Sequence, residues 1–281
     1  MKIVLISPKG PLYRFKGGLF KKSLRYHTLT LTTLAAYVPE ALNADLELID
    51  EGIQLVPDNL QADLVAMTVI TGTAKRAYEL ADAFRARGIP VVLGGPHVTL
   101  MPDEAQQHAD AICTGYAEET WPQLLRDFAE GRMQKIYRQR PDLELGHSPY
   151  ARRDLLKREH FLTQAVFEAT RACAHDCEFC VAPTAWGRKQ YQRPIDWVIE
   201  DIRRVGEKKI IFIDLNIISD KNYAKELFRQ LIPLKLQWFG LSTVLIAHDE
   251  ELMELLARSG CRGLLLGLET ISEDSLQDAR K

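Results

Sequence analysis

The sequence predicts an α/β protein in which a doubly wound parallel-sheet domain is followed by an incomplete (β/α) barrel. Three observations carry that prediction. Short apolar runs alternate with helically spaced segments along most of the chain, the rhythm of parallel βαβ units. The pattern breaks once, around Pro141, Gly146 and Pro149, as a boundary between domains would. At 281 residues, 46% of them hydrophobic and 26% charged, the chain has the size and composition of a soluble globular protein with two cores. The domains are placed at 1–137 and 163–281, with 138–162 as a linker.

In the first half, Ile3 to Ile6, Leu46 to Ile49, Leu64 to Thr68 and Val91 to Leu93 read as strands. Between the last two, Ala77, Leu80, Ala81 and Phe84 fall at helical spacing within Ala74 to Arg87, and Gly88 stops the helix. Such flavodoxin-like sheets bind ligands beyond the carboxyl ends of their strands. The loops to watch are therefore Ser7 to Gly18, Thr71-Gly72-Thr73 and Gly94-Gly95-Pro96-His97. Gly94 and Gly95 let backbone approach a ligand or turn tightly, and Gly72 lies in the other candidate loop. His97 reads equally as a ligand contact and as a loop residue bonded to nearby carbonyls. Cys113, in the apolar run Ala111-Ile112-Cys113, reads as a small buried hydrophobe.

The linker carries Arg152, Arg153, Lys157 and Arg158, read as a solvated basic face. Beyond it, Gln164 to Phe167 reads as a strand, and Arg193-Pro194 opens a helix through Ile195, Val198, Ile199 and Ile202. Strands follow at Lys209 to Ile213, Trp238 to Thr243 and Gly263 to Leu268, separated by helices at Tyr223 to Leu231 and Glu250 to Arg258. In parallel barrels the active site lies at the carboxyl ends of the strands. That places the loop after Phe167, Asp214, Asn216, Ser242, Thr243 and Glu269 on one face, and Cys261, ahead of its strand, on the other.

The chemistry concentrates in Arg171-Ala172-Cys173-Ala174-His175-Asp176-Cys177-Glu178-Phe179-Cys180, where three of the five cysteines stand in a C-x3-C-x2-C pattern. Soft thiolates select zinc or iron-sulfur chemistry over hard cations. A Cys3His zinc site using His175 is one reading. The other is an iron-sulfur cluster with one iron open to a ligand, since electron-transfer clusters take four cysteines.

Cys173, Cys177 and Cys180, with the aromatic Phe179 between the last two, resemble the signature of the radical S-adenosylmethionine (SAM) enzymes. The resemblance implies a 4Fe-4S cluster on those three cysteines, SAM chelated to its unique iron, and reductive cleavage of SAM to a 5'-deoxyadenosyl radical. It further implies Phe179 beside the adenine, Glu269 on the SAM ribose, Asp214, Asn216 and Ser242 around SAM or substrate, and Arg188 or Arg193 near the SAM carboxylate. Leu215 departs from the family's Asp-Asp-Asn at this strand end.

The first half resembles the cobalamin-binding domain that precedes many radical SAM cores. Thr68 to Thr73, Leu93 to His97, and Asp110 to Glu118 with Trp121-Pro122 carry that likeness. It implies cobalamin held by Thr71, Gly72, Gly94, Gly95 and His97. The first loop, Ser7-Pro8-Lys9-Gly10, lacks the Asp-x-His-x-x-Gly motif that gives cobalt a histidine. Only four barrel strands are legible where the family core has six, which reads as a truncated chain.

The expectation is a cobalamin-dependent radical SAM methyltransferase acting on an unactivated carbon. The alternatives are another reaction of that family, ring formation or rearrangement, and a non-catalytic cofactor- or zinc-binding module. A small-molecule substrate, of lipid or isoprenoid type, and an electron donor such as flavodoxin or ferredoxin are the expected partners. A net charge of -2 argues against nucleic acid. No apolar run is long enough to span a membrane, no signal peptide is evident, and five cysteines form no secreted framework, so a cytoplasmic location is expected.

Overall fold

Ile3, Val4, Leu5 and Ile6 are all fully buried, which a strand achieves only when helices cover both faces of its sheet. The computed structural model describes residues 1–10, 27–140, 143–144, 146 and 148–280, and builds such a sheet around that strand. The chain divides into two units, Met1–Leu143 with His147–Leu162, and Thr163–Lys281 with Glu144–Gly146.

In the first unit the elements run β1 (Lys2–Ser7), α1 (Leu29–Ala36), β2 (Asp45–Asp50), β3 (Leu64–Thr68), α2 (Ala74–Ala86), β4 (Val91–Gly94), α3 (Pro96–Leu100), α4 (Pro102–Gln107), β5 (Ala111–Thr114), α5 (Thr120–Ala129) and β6 (Ile136–Arg138). All six strands are parallel in the order β2-β1-β3-β4-β5-β6. That is the flavodoxin-like order with one strand added, and chain direction across the sheet reverses between β1 and β3. One face packs Val4, Ile6, Val65, Met67 and Leu93 under α2. The other packs Ile3, Leu5, Leu64, Ala66 and Cys113 under α1 and α5. Burial pushes the Cys113 thiol up to about 12, so it stays an uncharged core residue.

The segment 138–162, expected as a linker, belongs for its second half to this unit. The Arg152 amide donates to the Thr32 carbonyl at 2.9 Å, and Leu155 packs on the core beside α1. Residues 11–18 of the first loop, along with Pro141, lie outside the described residues.

The second unit runs β7 (Val166–Phe167), β8 (Thr170–Arg171), α6 (Ala182–Trp186), β9 (Tyr191–Gln192), α7 (Ile195–Val205), β10 (Lys209–Phe212), α8 (Lys221–Leu231), β11 (Gln237–Thr243), α9 (Glu250–Arg258), β12 (Cys261–Gly267) and α10 (Glu273–Asp278). β7, β10, β11 and β12 form one parallel sheet in sequence order, and β8 pairs antiparallel with β9. Trp238 centres the core, with Phe212 edge-on at 5.5 Å, Phe228 at 5.3 Å, and its indole N–H on Ser259 Oγ at 3.1 Å. Asp220 caps α8 through the amides of Asn222 and Tyr223, and Asp249 caps α9 through that of Leu252.

Two strand readings change. The strand read from Gln164 to Phe167 shortens to Val166–Phe167, because the Ala165 and Val166 amides bond locally, to Thr163 Oγ1 and the Gln164 carbonyl, instead of to a neighbouring strand. Cys261 is the first residue of β12 rather than its predecessor, which still leaves it at the amino end, away from the cysteine loop. β12 pairs with β11 alone among the described residues, and Leu265 and Leu266 on it are exposed.

Candidate functional site

In the second unit, parallel pairing sets the carboxyl ends of β7, β10, β11 and β12 along one edge, and the polar residues of the sequence pattern gather there. The cysteine loop leaves β8 through Ala172, a buried residue at φ +62, a left-handed conformation that costs a non-glycine residue about 1–2 kcal/mol. The Cys180 amide closes a turn on the Cys177 carbonyl at 2.9 Å, and the Glu178 amide donates to the Ala279 carbonyl at 3.0 Å. Cys177 is buried, Cys173 and Cys180 are partly exposed, and Phe179 between them is exposed.

Among the described residues no three His, Cys, Asp or Glu side chains converge closely enough to hold a metal ion. The loop therefore supplies three soft donors on a short turn, and cluster binding would have to draw their sulfurs together. The donor set itself, three thiols, fits iron-sulfur chemistry.

Behind the loop lies a charged network that sequence reasoning missed in part. Glu168 accepts from Arg171 Nε and, at 3.5 Å, from Arg193 Nη2. The Arg193 guanidinium lies 4.7 Å over the Trp197 ring. The Tyr223 hydroxyl donates to the Arg193 carbonyl at 2.7 Å, with the Ala169 carbonyl at 3.2 Å. The Ser219 hydroxyl sits 3.9 Å from Cys173 Sγ. Glu168 was legible as one more polar residue after a strand. Ser219 and Tyr223 had no such signal.

Asp214 lies beyond the end of β10 and turns its side chain toward the corner after β7. Its carboxylate is fully buried and accepts from the Thr170 amide at 2.5 Å, the Thr170 hydroxyl at 2.8 Å and the Ala169 amide at 3.2 Å. Burial and the nearby Glu168 charge raise its pKa to about 7, against the pull of those hydrogen bonds. The carboxylate's acceptor capacity is thus largely taken up by two backbone amides and one hydroxyl.

Asn216 is buried at the same strand end. Its Oδ1 takes the Ile218 amide at 3.4 Å, while its buried Nδ2 has no partner, and Arg193 Nη1 is likewise buried and unpartnered. Buried donors without acceptors are costly, and a ligand carboxylate or hydroxyl would satisfy them. Ser242 is buried, its hydroxyl on the Thr243 carbonyl at 3.2 Å. Glu269 stands two residues past β12, exposed and at φ +58. Arg188 is exposed and pairs with Asp176 at 3.3 Å.

In the first unit the β3 and β4 loops meet at the carboxyl edge of the sheet. Gly95 has φ +104, and a Cβ there would come within 2.8 Å of the Val69 carbonyl, so the fold itself requires this glycine. A Cβ on Gly94 would make only ordinary contact with Cys113, and one on Gly72 would meet nothing within 4 Å. Thr71 and Gly72 are exposed. An exposed hydroxyl beside open backbone is a surface to which a polar ligand can come close.

His97 lies buried in α3 with both ring nitrogens engaged. Nδ1 faces Thr71 Oγ1 at 3.2 Å, and Nε2 faces Tyr78 Oη at 3.1 Å and Glu104 Oε1 at 3.3 Å. Glu51, buried behind the first loop, holds Arg76 at 2.6 Å and 3.0 Å and the Lys9 amide at 3.1 Å. Burial pushes its carboxyl up, but Arg76 and the amide outweigh that and hold it below the usual range.

The family model described as the B12 binding domain matches residues 19–125, and that described as the Radical SAM superfamily matches residues 167–281. The chain is a B12-binding radical SAM protein. Its two domains bring their cofactors, cobalamin for the first and a 4Fe-4S cluster with SAM for the second. Over 256 residues, 84% of this chain and 55% of the relative, the radical SAM protein is 30% identical to bacteriochlorophyllide d C-12(1)-methyltransferase of Chlorobaculum tepidum. Bacteriochlorophyllide d C-8(2)-methyltransferase of the same organism is 31% identical over 78% of this chain and 52% of its own. Hopanoid C-2 methylase of Rhodopseudomonas palustris is 23% identical over 89% and 50%.

The chain thus spans about half the length of the curated relatives it matches. The solved radical SAM methyltransferase TsrM of Kitasatospora setae superposes with a TM-score of 0.73 at 18% identity, covering 98% of this chain and 60% of that one, which shows a shared fold. No helix among the described residues is long and apolar enough to cross a membrane.

Proposed function

We propose that this chain works as a cobalamin-dependent radical SAM methyltransferase on an unactivated carbon of a small molecule with an extended apolar skeleton. The observation that carries the reading is the pairing of a B12-binding domain with a three-cysteine radical SAM domain in one chain. The relatives support the reaction class, since those at 30% and 31% identity are named methyltransferases of a bacteriochlorophyllide. When bound, the cluster supplies the electron that cleaves SAM, and cobalamin supplies a methyl carrier.

The protein's own residues then divide the work. Cys173, Cys177 and Cys180 hold the cluster, and exposed Phe179 offers its ring to the adenine. Asn216 Nδ2 and Arg193 Nη1 donate to SAM or substrate, for they are the buried donors left without acceptors. Ser242 lines the same strand edge, and Glu269 takes the ribose hydroxyls. In the first unit Thr71 and Gly72 line the cobalamin face, with Gly94, Gly95 and His97 shaping the adjoining loop. His97 serves as a support rather than a cobalt ligand, because its ring nitrogens are already committed to Thr71, Tyr78 and Glu104. A flavodoxin- or ferredoxin-like protein is the matching electron donor, and the reducing cytoplasm is the compartment that suits three cluster thiols.

The test is the low-temperature electron paramagnetic resonance (EPR) spectrum of the anaerobically reconstituted, reduced chain with and without SAM. A 4Fe-4S signal that shifts with SAM, together with formation of 5'-deoxyadenosine, is the expected result. Zinc in place of iron, or a signal indifferent to SAM, overturns the reading.

A further inference from the structure

We propose that Asp214 is the positioning residue of the cluster loop, fixing the limb that carries Cys173. The inference rests on the cluster assignment above and changes the role of a residue at that strand end.

The geometry is specific. Asp214 follows β10, and its carboxylate reaches back to the neighbouring β7–β8 corner, where it receives the Ala169 amide, the Thr170 amide and the Thr170 hydroxyl. β7 ends at Phe167, and although Thr170 pairs with Gln192 of β9, its amide and that of Ala169 go to Asp214. Cys173 lies three residues beyond Thr170, and between them come Arg171, held to Glu168, and Ala172, held at positive φ. The β8–β9 pairing holds only one side of this corner, with the Arg193 amide on the Ala169 carbonyl at 2.9 Å. The carboxylate holds the other, and it uses acceptor capacity that a SAM amino group would otherwise need.

The segment after Asp214 continues the same task. Ser219, five residues on, directs its hydroxyl toward Cys173 Sγ, and Asp220 accepts from Gln192 of β9 at 2.9 Å. One inter-element loop thus touches the root of the cysteine loop, its first thiol and the strand paired with that root. Tyr223, at the start of α8, closes the set on the carbonyls of Ala169 and Arg193.

The experiment compares wild type, Asp214→Ala, Thr170→Val and Thr170→Ser, each as the full chain reconstituted anaerobically with iron and sulfide. Phe228→Leu, in the core of the same unit and making none of the network's hydrogen bonds, serves as a control for general destabilisation. Iron and sulfide per chain are measured first, and then the SAM concentration that half-shifts the EPR signal.

Asp214→Ala and Thr170→Val are expected to cut cluster occupancy by at least about fivefold, the scale of one buried hydrogen bond. Thr170→Ser is expected to restore occupancy, and clusters that do form should respond to SAM at the wild-type concentration. Phe228→Leu should keep its cluster at a comparable loss of melting temperature.

Full occupancy in Asp214→Ala with a lost SAM response makes Asp214 a SAM ligand and overturns the proposal. Full occupancy with normal SAM response overturns it as well. Should Asp214→Ala fail to fold, Thr170→Val decides alone, and a full cluster there refutes the anchor. Occupancy lost equally in Phe228→Leu reduces the effect to stability and refutes it too. A wild-type chain that takes up no cluster overturns both this inference and the function it rests on, whereas a wild-type cluster with intact variants overturns this inference only.

Discussion

Gly95 and Asp214 show how one residue can be fixed by its surroundings for opposite reasons. Gly95 is excluded from any other identity by position, since a methyl group would press on both the amide and the carbonyl of Val69 and would sit at φ +104. Gly95→Ala should therefore destabilise the first unit by more than about 1 kcal/mol, read as a drop in its melting temperature, while Gly72→Ala, in open space, should change it little.

Asp214 is fixed by its partners. Its native pKa of about 7 lies above the ordinary 3.8, so between those values the folded chain keeps a proton that the unfolded chain has lost. Its contribution to stability is full at the acid end and declines as pH rises toward 7, then levels. In urea titrations of the cluster-free chain, wild type should lose stability from pH 5 to 7.5 relative to Asp214→Asn. A wild-type curve parallel to that of the variant would count against this assignment.

At the scale of elements, short periodic segments were the legible part. Helix Glu250–Arg258 stands where its apolar spacing placed it, and the other long helices and core strands fall within a few residues of their sequence signals. The cap explains why α9 starts so cleanly. Asp249→Ala should remove the bond to the Leu252 amide and cost about 1 kcal/mol in unfolding free energy by denaturant titration.

What sequence could not show was how strand ends are used. Asp214 looked like one more acid on the functional edge, and nothing in its neighbours Ile213 and Leu215 says that β7 stops short and leaves the Ala169 and Thr170 amides for it to receive. The three cysteines were visible because their spacing is local. Ser219, which meets Cys173 across 46 positions, was not. The glycines divide similarly. All three were legible as candidates, but only the packing of Val69 separates Gly95, needed for the turn, from Gly72, which leaves its surface open.

At the scale of the whole molecule, two parallel-sheet units each offer a carboxyl edge, one matching a B12 binding domain and the other a radical SAM domain. The second sheet ends on β12, where Leu265 is 70% exposed and its strand is paired on one side only among the described residues. An open apolar edge favours association of exposed strands. Leu265→Lys should lower concentration-dependent light scattering of the chain without lowering its melting temperature. Unchanged scattering would show that this strand does not drive association.

The bond between Asp214 and Thr170 joins residues 44 positions apart, and this sets an order of events on the ribosome. When Cys180 has just left the ribosomal exit tunnel, all three thiols of the loop are outside it, yet Asp214, 34 residues behind, is still within. Iron arriving at that moment would find nucleophilic sulfur on an unformed corner. If Asp214 anchors the loop, delivery of a complete cluster belongs after Asp214 has emerged, and a chain paused before that point is the species most exposed to the wrong metal.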